Sequence, residues 1–117
     1  MELMFHQSVV VLRAPLVTDK YRNRTPDWAR ATRTPIAGVS VQPAGRAEVH
    51  EPGQRDRVAS GWTLQTPPRV DLDLLPTDRV ELDNGQVCEV VGEVARHPDP
   101  FGRGVHHIEV HLERVTG

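Results

Sequence analysis

The residues best suited to chemistry lie near the end of the chain, where His107, Glu109 and His111 recur at every second position. Alternate side chains on a strand share a face, so all three would project together, and histidine and glutamate both bind zinc. Alternate Cβ atoms on a strand stand roughly 6.5–7 Å apart, which makes convergence of all three on one ion uncomfortable. A polar outer face pairing with a neighbouring strand or subunit explains them at lower cost. His106 beside them reads as a partly buried residue rather than a ligand. Cys88 as a nucleophile would need exposure and a nearby base, but it falls on the core face of the hairpin described next. Asp71, Asp73 and Asp78 invite thoughts of a divalent cation. Asp78 begins a strand, however, and the other two flank a proline-ended connection, so all three are read as solvated loop acids. No phosphate-cradling glycine loop, nucleophile elbow or CxxC pair occurs. The sequence is therefore read as non-enzymatic, with no catalytic residue, metal ligand or cofactor assigned.

The elements that position these residues are organised around residues 77–94, TDRVELDNGQVCEVVGEV. Asn84-Gly85 between two apolar-alternating runs is a strong hairpin signal. A two-residue loop would set Val80 opposite Glu89, mixing charge and apolar groups on both faces. A three-residue loop, Asp83-Asn84-Gly85 with a left-handed Gly85, gathers Val80, Leu82, Cys88 and Val90 on one face instead. It also places Arg79 opposite Glu89, an opposite-charge cross-strand pair. A one-residue slip would turn every side chain over, so burial selects the second register.

At 117 residues the chain is one domain with a modest core, and aromatics make up only 4%. Nine glycines and ten prolines suit a small, loop-rich β protein with a Val/Leu/Ile core. A net charge of −2 argues against a general polyanion binder, and a lone cysteine forbids an internal disulfide. No apolar run approaches a membrane span, and residues 1–13 lack the features of a signal peptide. A soluble protein assembled in the cytoplasm is the expectation, with no membrane partner.

Residues 6–13, HQSVVVLR, form a first strand that is apolar on both faces, hence either central or covered by a neighbouring subunit. Residues 14–35 read as a long irregular loop broken by Pro15, Pro26 and Pro35. Over residues 13–35 six basic residues oppose two acidic ones, a charge of +4, whereas the remainder carries eight against fourteen, or −6. Loops longer than about 12–15 residues are usually functional or disordered. One reading is a solvated loop. The sharper one is a docking loop for an acidic or nucleic-acid-lined surface, using Lys20, Tyr21, Arg22, Arg24, Trp28, Arg30 and Arg33. Further strands are expected at residues 36–42, 56–66 and 105–115, with a polar loop at 43–55 and turn-rich residues at 96–104. In the last strand Ile108, Val110 and Leu112 alternate with His107, Glu109, His111 and Glu113. Six short antiparallel strands with almost no helix fit an all-β fold, a small antiparallel β-barrel whose closure removes exposed edges.

The ordered features now carry a resemblance. Val39-Ser40-Val41-Gln42-Pro43 precedes Arg57-Val58, Gly61-Trp62-Thr63-Leu64 and Thr66-Pro67-Pro68. Thr77-Asp78-Arg79-Val80, Asn84-Gly85, Glu89-Val90-Val91-Gly92-Glu93, His106-His107-Ile108-Glu109-Val110 and Leu112-Glu113-Arg114-Val115 follow. This resembles the head-to-tail stopper, or head closure, proteins of long-tailed actinobacteriophages, well over residues 36–117 and more loosely over the first strand. The resemblance implies a β-barrel in the virion neck, in a homo-oligomeric ring of six or twelve copies. That ring would lie below portal and adaptor proteins and above tail terminator and tail tube proteins, sealing packaged double-stranded DNA. It also implies a channel-facing loop, which by position comprises Pro43, Ala44, Gly45, Arg46, Ala47, Glu48, Val49, His50, Glu51, Pro52, Gly53, Gln54 and Arg55.

Two other classes compete. A small OB-like barrel binding nucleic acid would need several exposed aromatics on a basic face. The chain has five aromatics, Phe5, Tyr21, Trp28, Trp62 and Phe101, and its barrel region is net acidic. A metal-dependent enzyme built on the final strand ranks last for the geometric reason above.

Overall fold

A computed structural model describes residues 5–44, 61–102 and 104–115. Eight strands follow in order: β1 (Gln7–Arg13), β2 (Leu16–Thr18), β3 (Arg24–Pro26), β4 (Thr32–Pro43), β5 (Gly61–Gln65), β6 (Arg79–Glu81), β7 (Val87–Pro98) and β8 (Val105–Arg114). Six of them close an antiparallel barrel in the order β1-β4-β5-β8-β7-β6, while β2 and β3 form a separate two-stranded arm. Among the described residues the helical content is one 3-10 turn, Trp28–Arg30, capped by Asp27.

The barrel follows from side-chain alternation. In β8, Ile108, Val110 and Leu112 are buried inside while His111 between them is exposed. In β1, Val9 and Val11 point inward at 3% and 4% exposure. The strand is hydrogen-bonded to β4 on one edge and β6 on the other, so its two-sided apolar character reflects a central position. Leu12, on the outward register, is itself buried by this chain's own residues.

The central hairpin has the expected register: Arg79 opposite Glu89, Val80 opposite Cys88 and Glu81 opposite Val87. Leu82 N–H donates to Gln86 O and Gly85 N–H to Leu82 O, closing the three-residue loop with Gly85 at φ +90°. Val80, Leu82 and Cys88 are all in the core.

Three expectations change. Residues 14–35 are not an irregular loop, because they contain the β2–β3 arm, the 3-10 turn and the first residues of β4. Pro35 sits inside β4, opposite Val10. There, among the described residues, β4 pairs with β1 alone, since its pairing with β5 spans only Ser40 to Pro43, and a strand with one unpaired edge is where proline is tolerated. Residues 96–98 likewise extend β7 rather than opening a loop. Gly92, at φ +76°, lies within the register shift between Val91 and Ala95 that lets this strand continue along β8. Residues 56–60 of the expected third strand lie outside the described residues.

The third change concerns residues 70–75, by sequence an acidic connection that ends at a proline. Leu72 and Leu74 are 5% and 0% exposed and belong to the barrel core. Each contributes about 1.5–3 kcal/mol by burial. Thr66, buried at the end of β5, donates its hydroxyl to Val70 O and accepts from Ile108 N–H, fastening the turn before this segment to β8.

Gly85 supplies the first prediction. A Cβ there would meet nothing within 4 Å, so a substitution suffers from its backbone angle alone. Gly85→Val is expected to lower unfolding free energy by about 1–3 kcal/mol, and Gly85→Asn by clearly less, because asparagine tolerates positive φ. Urea unfolding of both variants measures the difference.

Candidate docking surface

The basic arm is rooted by a cluster of charges. Arg13, the last residue of β1, donates from Nη2 to Asp78 Oδ2 at 2.8 Å and from Nε to Asp78 Oδ1 at 3.0 Å. Its Nη2 also reaches Asp73 Oδ1 at 3.2 Å. The Asp78 side chain is 1% exposed, against 39% for Arg13 and 83% for Asp73. Asp78 also accepts from Leu75 N–H at 2.9 Å, so its lone pairs are committed inside the protein. The hydrogen bond to Asp78, then that to Asp73, hold the Arg13 guanidinium above its ordinary pKa. Asp78 is thus a buried structural carboxylate, which corrects its reading as a solvated acid. Asp73 is solvated as expected, and Asp71 is half-exposed.

Arg96 of β7 holds the other side of this segment. Its Nη2 donates to Leu72 O and Leu74 O at 3.1 and 3.0 Å, and its Nε lies 3.4 Å from Asp71 Oδ1. Two arginines therefore clamp the chain that carries the two buried leucines.

Beyond Arg13 the arm folds back on itself. Asp19 organises its tip, accepting through Oδ1 from Tyr21 and Asn23 N–H groups, with Arg22 at φ +65°. Tyr21 is 71% exposed, and Lys20 Nζ lies 5.1 Å from the centre of its ring. Trp28 behaves differently. The Arg79 guanidinium stacks 4.1 Å over its ring, so the indole braces the arm against the barrel. This also redirects Arg79, which lies opposite Glu89 in register, toward Trp28. Between arm and barrel runs a groove of about 510 Å³, lined chiefly by Leu16, Pro26, Trp28, Leu75, Pro76 and Val90.

The docking residues therefore separate into two groups. Lys20, Tyr21, Arg22 and Arg24 are exposed on the arm, and Arg30 is 79% exposed with a 3.6 Å contact to Asp27. Arg33 is instead paired with Glu81 at 2.7 Å across the β1-bridged wall, and Trp28 is spent on Arg79. Of the channel-facing loop, Pro43 closes β4 opposite Trp62 and Ala44 N–H donates to Gly61 O. Residues 45–55 lie outside the described residues.

The histidine-rich strand is arranged differently from the spacing argument. His111 is exposed, its Nδ1 3.4 Å from Thr63 Oγ1. His97 of β7 lies directly opposite His107, a partner that only the strand register reveals. Cys88 is fully buried, and burial pushes its thiol pKa up, away from a nucleophilic role.

By sequence the chain matches no family model and no curated protein. Its fold is similar to that of solved structures. The solution structure of protein SF1141 from Shigella flexneri 2a superposes with a TM-score of 0.60 at 13% identity, over 97% of this chain and 96% of that one. A chain from the virion of a native gene transfer agent particle superposes with a TM-score of 0.59 at 18% identity, covering 95% and 96%. At these identities the likeness is one of fold, and it spans nearly the whole of each chain.

The charge cluster yields a prediction. Asp78→Ala strands the Leu75 N–H and leaves Arg13 short of its main acceptor, so it is expected to destabilise the protein by about 2–4 kcal/mol. Asp73→Ala should cost less than about 1 kcal/mol, as exposed pairs do. Chemical denaturation of the two variants side by side checks the ordering.

Proposed function

We propose that this chain is a structural virion protein, a head-to-tail stopper that forms an oligomeric ring in a phage neck. In this reading the ring closes the DNA channel after packaging and offers the surface on which the tail attaches. The observation that carries the reading is the end-to-end fold likeness to a chain of a gene transfer agent virion. It agrees with the ordered sequence features of the stopper family. The role is one of assembly rather than catalysis, and its site is a surface. Portal or adaptor proteins would lie above the ring, tail proteins below, and double-stranded DNA within, placing the protein in the virion neck after assembly in the host cytoplasm.

The arm supports the reading physically. It carries Lys20, Arg22, Arg24 and Arg30 away from a barrel whose own charge balance is negative, and it sets exposed Tyr21 among them. Such a surface suits an acidic neighbouring ring. The nucleic-acid-binding alternative gains little: Trp62 packs against the core and Trp28 lies under Arg79, which removes two of five aromatics from any stacking platform.

Two measurements test the proposal. Reversing Arg22, Arg24 and Arg30 to glutamate should weaken docking onto isolated virion necks, more at low salt than at high, because exposed charges are screened within about 8 Å at physiological ionic strength. An unchanged salt profile would make the arm a solvated surface. Deleting residues 44–54 should leave the barrel folded while DNA-filled heads leak. Full DNA retention would remove that loop from the channel.

A further inference from the structure

We propose that His97, His107 and Glu109 form a binding site for one zinc ion on the outer wall of the barrel, a site separate from the docking surface and independent of the neck assignment. Two of the donors stand at alternate positions of β8, and the third lies directly across on β7. The strand register itself therefore delivers three side chains to one patch, without the stretch that a triad along a single strand would need.

The distances fit a site that closes on its ion. The three donor atoms lie within 4.8 Å of one another. His107 Nε2 is 3.3 Å from Glu109 Oε1, and His97 Nε2 is 3.8 Å from Glu109 Oε2. Zinc bonds of about 2.0–2.2 Å at tetrahedral angles set donor atoms roughly 3.3 Å apart. One contact already has that spacing, and the widest must close by at most about 1.5 Å. The two imidazoles are stacked, with centroids 4.5 Å apart and planes 12° from parallel. Binding requires the exposed His97 ring to rotate until its Nε2 lone pair converges with that of His107. The His97 and Glu109 side chains are 46% and 42% exposed, so neither is locked by packing.

A second observation points to the same ligand. His107 Nδ1 lies 2.8 Å from His106 Nδ1. One of these nitrogens must carry the shared proton. When His107 donates it, its Nε2 lone pair is left free to ligate, beside the Glu109 carboxylate 3.3 Å away. His106 then acts as the outer partner that fixes the ligating tautomer, as metal-bound histidines characteristically require. Imidazole and carboxylate together suit zinc. Three protein ligands leave a fourth position for water.

Co2+ titration of the chain, purified without a histidine tag, tests the site through the visible absorption of the bound ion, followed by displacement with Zn2+. One equivalent should bind saturably and be displaced by zinc. His97→Ala and Glu109→Gln should each weaken the affinity at least tenfold, and His106→Ala by about tenfold, the usual effect of removing an outer-shell partner. His111→Ala should leave it within about twofold, although that residue completes the pattern along the strand. Circular dichroism of each variant confirms that the exposed substitutions leave the fold intact. Absence of saturable binding in the intact chain, or a loss in His111→Ala as large as that in His97→Ala, overturns the proposal.

Discussion

Closure of the barrel through β1 is the constraint from which the rest of this structure follows. Without hydrogen bonds from β1 to both β4 and β6, the six strands would be an open sheet with two bare edges and a hydrophobic face in water. With them, Val9 and Val11 meet Val39, Val80 and Leu112 in a shared interior. The pairing of β1 with β6 covers only three residues, Val10 to Leu12. The seam is reinforced at its end, where Arg13 grips the buried Asp78 just before β6. The same salt bridge ties down the segment whose leucines complete the core. One arginine thus connects barrel closure, core filling and the root of the arm.

That arrangement explains how so small an aromatic content supports a barrel. The interior is filled by Val, Leu and Ile and by a chain segment, residues 72–74, that enters from outside the sheet. Arg96 makes this possible by capping the Leu72 and Leu74 carbonyls, which would otherwise be costly to bring against an apolar interior. The polar functions are then displaced to the outside. The arm carries positive charge, and the β7–β8 wall carries the histidines.

Period-two patterns were legible in the sequence because burial alone dictates them. The faces of β8 and the register of the 79–89 hairpin were both readable, the latter because the wrong register would bury Glu89 beside Val80. What was not legible rests on contacts between residues far apart in the chain. Pro35 looked like a strand breaker, since its harmlessness depends on which edge of β4 is unpaired. Asp78 looked like a solvated acid, because its partner Arg13 lies 65 residues away. Arg96 looked like part of a turn, and Leu72 and Leu74 looked like linker. Trp28 was readable as an anchor, but its partner is Arg79 of the same chain rather than another protein. His97 is hidden in the sequence for a similar reason: only the alignment of β7 on β8 sets it opposite His107, so spacing along one strand points to His111 instead.

The barrel is sealed within a single chain, with the arm as an appendage. Native-state amide hydrogen exchange of the isolated protein tests this most directly. If β1 closes the barrel, the slowest amides of residues 9–12 are protected to nearly the same degree as those of residues 108–112 in β8, because both open only with the whole fold, while residues 19–23 at the arm tip exchange far faster. Exchange of residues 9–12 at the rate of the arm, with β8 still protected, would contradict it and mean that the barrel is an open sheet in solution.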